Sequence, residues 1–482
     1  MTEHQAHSTD PSLSNPDIAP VPPGQRDWKA ISFFSLWVGM VVNIPAYMIA
    51  ASLVEGGMSW QQAMWTVLLG NLIVLVPMVL SGHAGTKYGI PFPVFARASF
   101  GIKGAHIPSF LRALVACGWF GIQTWIGGAA IYTMVLIAWP GAQQLPQVLP
   151  EFIGINLVQF ACFMLFWFMN IWLIWKGINS IKVLEHLAAP FLVACGLGLL
   201  AWAYVSADGF GPMLEAKSKF TDSADFWKLF FPSLTAMVGF WATLCLNISD
   251  FTRYASSQRA QVVGQAAGLP TTMVLFAFIG VAVTSATVVI YGEAIWDPVL
   301  LVRRFDTPVI VFASMVAVVI ATISTNAAAN VVSPANSFSN MWPSKIDFKR
   351  GGYITGVIGI LMMPWKLVAD PSGYIFTWLI GYSALLGPVI GIILVDYYLI
   401  RKTELNISEL YSHDGRYAGV NRMAIIAMLL GIAPNIPGFL AQIGLIEAGG
   451  FLVGLYSYAW FIGLAIASTA YYLLMGGKEQ QA

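Results

Sequence analysis

The sequence predicts an all-α membrane protein with twelve transmembrane helices, built as a 5+5 inverted repeat followed by two C-terminal helices. Three observations lead there. Apolar stretches long enough to cross a bilayer, which takes roughly 20 residues, recur along the whole chain. Lysine and arginine gather in alternate connections, as the positive-inside rule requires. Polar interruptions inside the first and third spans are echoed five spans later, the signature of a repeat that re-enters from the opposite side.

Composition sets the class. Hydrophobic residues make up 57% of the 482 and charged residues 10%, where soluble chains carry roughly 25% charged residues. Mean hydropathy is +0.71. The net charge of +1 leaves no basic domain for nucleic acid. The four cysteines, Cys117, Cys162, Cys195 and Cys245, lie scattered in apolar stretches, so neither a disulfide framework nor a zinc motif is expected. Residues 1–29 form a polar, proline-bearing segment without a signal-peptide pattern, and a flexible cytoplasmic tail is expected there.

Twelve spans centre near residues 42, 71, 120, 163, 193, 239, 277, 319, 360, 386, 430 and 462. Residues 30–205 make the first five-helix repeat, 206–402 the second, and 403–482 the last two helices with the C-terminal tail. With the N-terminus inside, six basic residues fall outside: Lys217, Lys219, Lys228, Arg303, Arg304 and Lys366. The many others fall inside, so both termini are expected in the cytoplasm of a cell (inner) membrane protein. The Gly82–Ala105 connection is rich in glycine yet holds Phe92, Phe95 and Phe100, and reads as a structured loop with a short interfacial helix.

The first span runs from about Ile31 to Leu53 and carries Asn43-Ile44-Pro45 at mid-depth. Proline removes a backbone donor and disturbs the preceding turn, so carbonyls near Gly39 to Val42 lose helical partners. Freed polar groups persist in a membrane only where protein, water or a ligand satisfies them. The feature fits either a plain kink or a binding site. In the third span Trp119 and Gln123 share a helical face, offering a flat ring and an amide that donates and accepts. A lipid-packed tryptophan beside a glutamine that ties two helices fits equally. Gly239-Phe240-Trp241 in the sixth span reads as a second unwound point or as ordinary aromatic packing. In the eighth span, the segment from Ala321 to Asn330 places Ser324 and Thr325 among small residues, with Asn326 and Asn330 on one face. Hydroxyl oxygens suit a bare alkali cation. Arg112, Glu185, Asp250 and Asp396 fall near span ends, where snorkelling is available. Mid-depth is otherwise uncharged, which suits a neutral, flat, hydrogen-bonding solute.

The chain resembles the nucleobase:cation symporter family, which includes hydantoin, allantoin, uracil and cytosine transporters. The resemblance runs from Gly24-Gln-Arg-Asp-Trp-Lys29 to Asp396-Tyr-Tyr-Leu-Ile-Arg401. It rests on GHAGTKYGIPFPVFARASFGIKGA (Gly82 to Ala105), WFGIQTW (Trp119 to Trp125), NISDFTRY (Asn247 to Tyr254), ISTNAAANVVSPA (Ile323 to Ala335), MMPWKL (Met362 to Leu367) and LLGPVIGIILVDYYLIRK (Leu385 to Lys402). The bacterial allantoin and hydantoin branch is the most similar. The resemblance implies a leucine-transporter-like fold, with Trp119 and Trp241 sandwiching the substrate ring beside Phe240. Gln123 and Asn330 would bond its amide edge, and Asn43 and Asn326 would complete the contacts. A sodium site would use the carbonyls of Gly39, Val42 and Ala321 with the hydroxyls of Ser324 and Thr325. At position 43 the hydantoin type has glutamine and the allantoin type asparagine, as here; some allantoin members have histidine where this chain has Val42.

The expected function is secondary active import of a neutral cyclic ureide or nucleobase-like ring, such as allantoin, hydantoin or uracil, by a monomer in the lipid bilayer. The first, second, sixth and seventh spans would move against the rest. No cofactor is expected; the coupling ion is sodium, with a proton as the alternative. The rivals are a cation-independent channel or facilitator and an integral-membrane enzyme. The enzyme is disfavoured because no histidine or carboxylate cluster lies at depth.

Overall fold

The first span is broken where the sequence places its asparagine and proline. In a computed structural model of the chain, helix Ala30–Val41 stops, Val42 and Asn43 leave the helical region, and helix Ile44–Glu55 resumes at 63° to the first. The structure describes residues 10, 12–145, 148–176, 178–215, 217–447 and 449–476; of 178–189 and 328 the backbone alone is described. Among the described residues the secondary structure is helical, with no strand.

Among the described residues, eight helices are long and apolar enough to cross a membrane, or nine with the bent first pair. They are Trp60–Tyr88, His106–Ala138, Leu157–Lys176, Ser223–Asn247, Gln258–Tyr291, Pro308–Met341, Gly373–Ile400 and Arg422–Gln442. The expected centres near 193, 360 and 462 fall on the remaining apolar helices Ile178–Ser206, Phe348–Leu361 and Ala459–Met475. Exposed apolar side chains such as Trp65, Val76, Phe168, Leu275, Val309 and Leu473 line the outer faces, as a lipid-facing surface requires.

Small residues set how closely the spans approach. A β-carbon at Gly127 would overlap the Phe166 ring, and one at Gly280 would lie 2.8 Å from the Tyr47 carbonyl oxygen. The first span therefore lies against the seventh, and the third against the fourth.

Three expectations are corrected here. The Gly82–Ala105 segment is not an interfacial loop. The second span continues as helix to Tyr88, and the short helix Phe92–Phe100 is buried along its whole length. Its phenylalanines pack inward because the surrounding spans and the tail cover every face. Arg112, Asp250 and Asp396 do not snorkel either; all three are buried. Arg112 Nη2 donates to Asn247 Oδ1 (3.1 Å), and Asn247 Nδ2 to Asp250 Oδ2 (3.1 Å). Asp250 Oδ1 accepts from the Phe92 backbone N–H (2.8 Å). Asp396 pairs with Arg401 at 2.7 Å and accepts from Tyr471 at 2.7 Å. Hydrogen bonds replace the water the two carboxylates would otherwise seek, whereas Arg112 Nε and Nη1 have no partner among the described residues. The Glu185 side chain lies outside the described residues.

The third correction concerns the tail expected to be flexible, whose described part is held down. Leu13, Ile18 and Val21 are buried, Tyr411 OH donates to the Ile18 carbonyl (2.7 Å), and Asn15 Nδ2 donates to Ser339 Oγ (2.6 Å). The central clamp is Arg97, 1% exposed. It donates to the carbonyls of Leu410 (2.8 Å) and Leu13 (3.0 Å) and to Asn340 Oδ1 (2.7 Å). Burial pushes its guanidinium down to about 10, so it stays charged at neutral pH. Replacing Arg97 by alanine orphans three acceptors at about 1–3 kcal/mol each. We expect Arg97→Ala to lower the melting temperature in detergent and to speed proteolytic removal of the tail.

Candidate functional site

The break in the first span is a worked piece of backbone chemistry. Asn43 is extended (φ −148°, ψ 160°) and nearly buried. Its Oδ1 accepts from the Ala46 N–H (2.7 Å) and caps the second half-helix; its Nδ2 donates to the Met40 carbonyl (2.6 Å) and closes the first. The Asn43 N–H turns back to the Val41 carbonyl (2.8 Å). In a continuous helix the N–H groups of Asn43 and Ala46 would serve the carbonyls of Gly39 and Val42. Both donors are spent elsewhere, and no other donor reaches these two carbonyls among the described residues. These are the two carbonyls singled out for a cation.

The first half-helix packs against the eighth span, where Ser324 and Thr325 are buried. Thr325 Oγ1 donates to the Ala321 carbonyl (3.1 Å), which spends its hydrogen and leaves its oxygen lone pairs for another partner. Asn326 is a knot between helices. Its Nδ2 lies 3.3 Å from the Phe120 carbonyl, 3.3 Å from Thr124 Oγ1 and 3.2 Å from Asn170 Oδ1, and its Oδ1 accepts from Asn330 Nδ2 (3.0 Å). The amides of Asn43 and Asn326 are thus engaged by the frame.

The aromatic residues form one nest around Trp119. Its ring lies edge-on to Phe240 (5.3 Å), Trp378 (5.8 Å), Tyr374 (6.3 Å) and Tyr382 (6.4 Å). Trp241 packs edge-on to Trp37 (5.2 Å) and Phe240 (4.9 Å). Phe240 therefore touches both tryptophans expected to sandwich a ring. Gln123, one turn beyond Trp119, is 3% exposed, and its Oε1 has no hydrogen-bond partner.

The second break is milder than the first. Helix Ser223–Phe240 yields at Trp241 (φ −102°, ψ 2°) and resumes as Ala242–Asn247, with no extended residue. Gly239 is there for close packing, since a β-carbon would overlap Ser383 Oγ. Its carbonyl accepts from Tyr382 OH (2.8 Å).

A family profile described as "Permease for cytosine/purines, uracil, thiamine, allantoin" matches residues 20–463. The chain belongs to this permease family. A purine-uracil permease of Arabidopsis thaliana is 48% identical over 485 residues, covering 98% of this chain and 80% of that protein. The allantoin permease of Bacillus subtilis is 42% identical, covering 96% and 93%. Among solved structures, the nucleobase-cation-symport-1 transporter Mhp1 in a closed conformation with bromovinylhydantoin bound superposes with TM-score 0.77 at 26% identity, covering 97% of this chain and 96% of that one. The permease thus has the transporter fold expected for it.

In this permease the tenth span is what reading the sequence missed. Tyr374, Trp378 and Tyr382 recur every four residues on one face, a signal present in the sequence but hidden among many apolar aromatics. Tyr374 OH donates to the Pro45 carbonyl (3.2 Å), so the span touches both breaks.

Asn43→Ala should remove the cap and cost about 0.5–2 kcal/mol. Asn43→Asp keeps the Oδ1 acceptor but loses the Nδ2 donor to the Met40 carbonyl and buries a carboxylate, so it should not restore the wild-type stability. Thermal unfolding of the purified permease in detergent would read both, and an unchanged melting temperature in the alanine variant would discard the capping role.

Proposed function

We propose that this permease is a cation symporter that imports a neutral cyclic ureide or nucleobase-like ring, such as allantoin, hydantoin or uracil. The observation that carries the reading is the broken first span. It frees the carbonyls of Gly39 and Val42 in a half-helix that packs against the eighth span, which carries the Ser324–Thr325 hydroxyls. Uncharged oxygen donors of this kind suit a hard monovalent cation. Gly39, Val42, Ala321, Ser324 and Thr325 would hold sodium. Among the described residues no group of three or more histidines, cysteines or carboxylates could hold a metal ion, and none of the five proposed ligands carries a titratable group for proton coupling.

Trp119 and Trp241 offer faces to a flat ring once Phe240 swings aside, and Gln123 with Asn330 bonds its polar edge. Asn43 and Asn326 act by holding the frame. The cation joins the first and eighth spans and raises affinity for the ring; by linkage the ring raises affinity for the cation by the same factor. The permease lies in the cytoplasmic (inner) membrane with both termini inside, as the charge bias of its loops supports, and works as a monomer.

The test is uptake into proteoliposomes. Labelled allantoin, hydantoin, uracil, cytosine and purines are offered with and without an inward sodium gradient. At least one ring should accumulate, and only with the gradient; accumulation without it that never exceeds equilibrium would point to a facilitator. Trp119→Ala and Gln123→Ala should each abolish uptake while the protein still reaches the membrane. The double change Ser324→Ala, Thr325→Ala should raise the sodium needed for half-maximal uptake at least tenfold.

A further inference from the structure

A pocket of about 440 Å³ opens at the end of the spans where the tail is docked. Small-molecule sites run from roughly 300 to 1,000 Å³. This one lies apart from the residues assigned to the cation and the ring. It is lined by Arg26 of the tail, His83 and Lys87 of the second span, and Ser257 and Gln258 at the entry to the seventh. The lining holds two cations and no carboxylate. Its walls are fixed to one another: Gln258 Nε2 donates to the His83 carbonyl (2.9 Å), and Ser256 Oγ to the Trp28 carbonyl (2.9 Å).

The positive charge here is not cancelled. Arg26 donates to the carbonyls of Val21 (2.9 Å), Thr86 (3.4 Å), Lys87 (3.3 Å) and Tyr88 (3.1 Å). These hold the guanidinium at the end of the second span but carry no net charge. Among the described residues no carboxylate pairs with Arg26. Lys87 Nζ reaches Glu404 at 2.8 Å. Glu404 is exposed, and such a pair is weak in water, so the ammonium is able to change partner. Ser257 Oγ accepts from the Ala260 N–H (3.1 Å) and keeps its own hydrogen to donate.

Lipid-facing surface begins one turn away on two helices. Val76, Leu80, His83 and Lys87 recur on one face of the second span, and Val76 and Leu80 are exposed. Val262, one turn beyond Gln258 on the seventh span, is exposed as well, and the two helices pack together. Lys87 stands in the last turn of the second span, where hydrocarbon gives way to headgroups. We propose that the pocket binds the phosphate of an anionic phospholipid. Arg26 supplies a fixed charge, Lys87 exchanges Glu404 for the phosphate, and the Ser257 hydroxyl donates to it. The acyl chains run along the exposed faces of the second and seventh spans. Basic pockets between membrane helices suit anionic headgroups in this way. A bound lipid joins the tail, the second span and the seventh, so it stabilises the fold whichever ring or cation is carried.

Thermal unfolding of the purified permease in a neutral detergent tests this. Phosphatidylglycerol, phosphatidylcholine and inorganic phosphate are titrated separately. Phosphatidylglycerol should raise the melting temperature at a concentration about tenfold lower than phosphatidylcholine, and inorganic phosphate should leave it unchanged. One basic residue beside an anionic lipid is worth a factor of about five in affinity. Lys87→Gln and Arg26→Gln should therefore each raise the phosphatidylglycerol needed for half the shift about fivefold. Lys345→Gln, which removes an exposed lysine at the same end outside the pocket, should change nothing. Equal stabilisation by phosphatidylcholine, or an equal loss in Lys345→Gln, would overturn the site in favour of diffuse attraction. Stabilisation by inorganic phosphate that Lys87→Gln abolishes would overturn the lipid and make a free anion the occupant. Arg26 also closes the end of the second span, so if Arg26→Gln does not fold, Lys87→Gln decides.

Discussion

Asn43 holds the first span open. One side chain caps the half-helix that follows and closes the half-helix that precedes, so the chain can bend at mid-depth without stranding its own polar groups. Pro45 adds to this by having no N–H of its own to offer the preceding turn. What is left over is selective: the carbonyls of Gly39 and Val42 lose their helical donors, while those of Met40 and Val41 are met. A break without such a cap would expose four or more backbone groups in an apolar setting, which hydrocarbon does not tolerate.

The rest of the molecule is arranged around that bend. The eighth span brings its hydroxyl pair to the first half-helix, and Asn326 ties that span to the third and fourth. The tenth span reaches both broken helices through two tyrosine hydroxyls. The two broken helices are thus joined through one span. At the opposite end of the spans the polar groups are handled differently. Asp250, Asp396, Arg97 and Arg112 are each paired inside the protein, and the tail is drawn into the same layer. Removing one partner there would leave a buried group unmet, so the layer closes as a unit.

Much of this was legible in the residues. Apolar length located the spans, and the asparagine–proline pair located the sharp break, because a missing donor acts locally. The five-span offset linked the first span to the sixth and the third to the eighth. The site was legible only in part. Trp119, Gln123 and the Ser324–Thr325 pair are buried together with their spans, but the expected ring-binding amides Asn43 and Asn326 are bonded to the frame, and Asn330 donates to Asn326. An amide's partner is set by what folds against it, and spacing along a helix does not show that. The same reason explains the charged residues near span ends. Their position in the sequence is compatible with snorkelling, and only the covering by Phe92–Phe100 and the tail makes them buried.

The sequence by itself determined the membrane class, the order of the apolar segments and the place where the first helix must break. These follow from hydrophobicity and backbone chemistry, which act within one or two turns. Tertiary structure alone decided which polar atoms remain unmet once the spans have packed. Trp378 is the plain case: its indole reaches the nest because Gly118 lacks a β-carbon and because Tyr374 and Tyr382 fix the helix on either side. These contacts join residues more than 140 positions apart, so no local pattern in the chain encodes them.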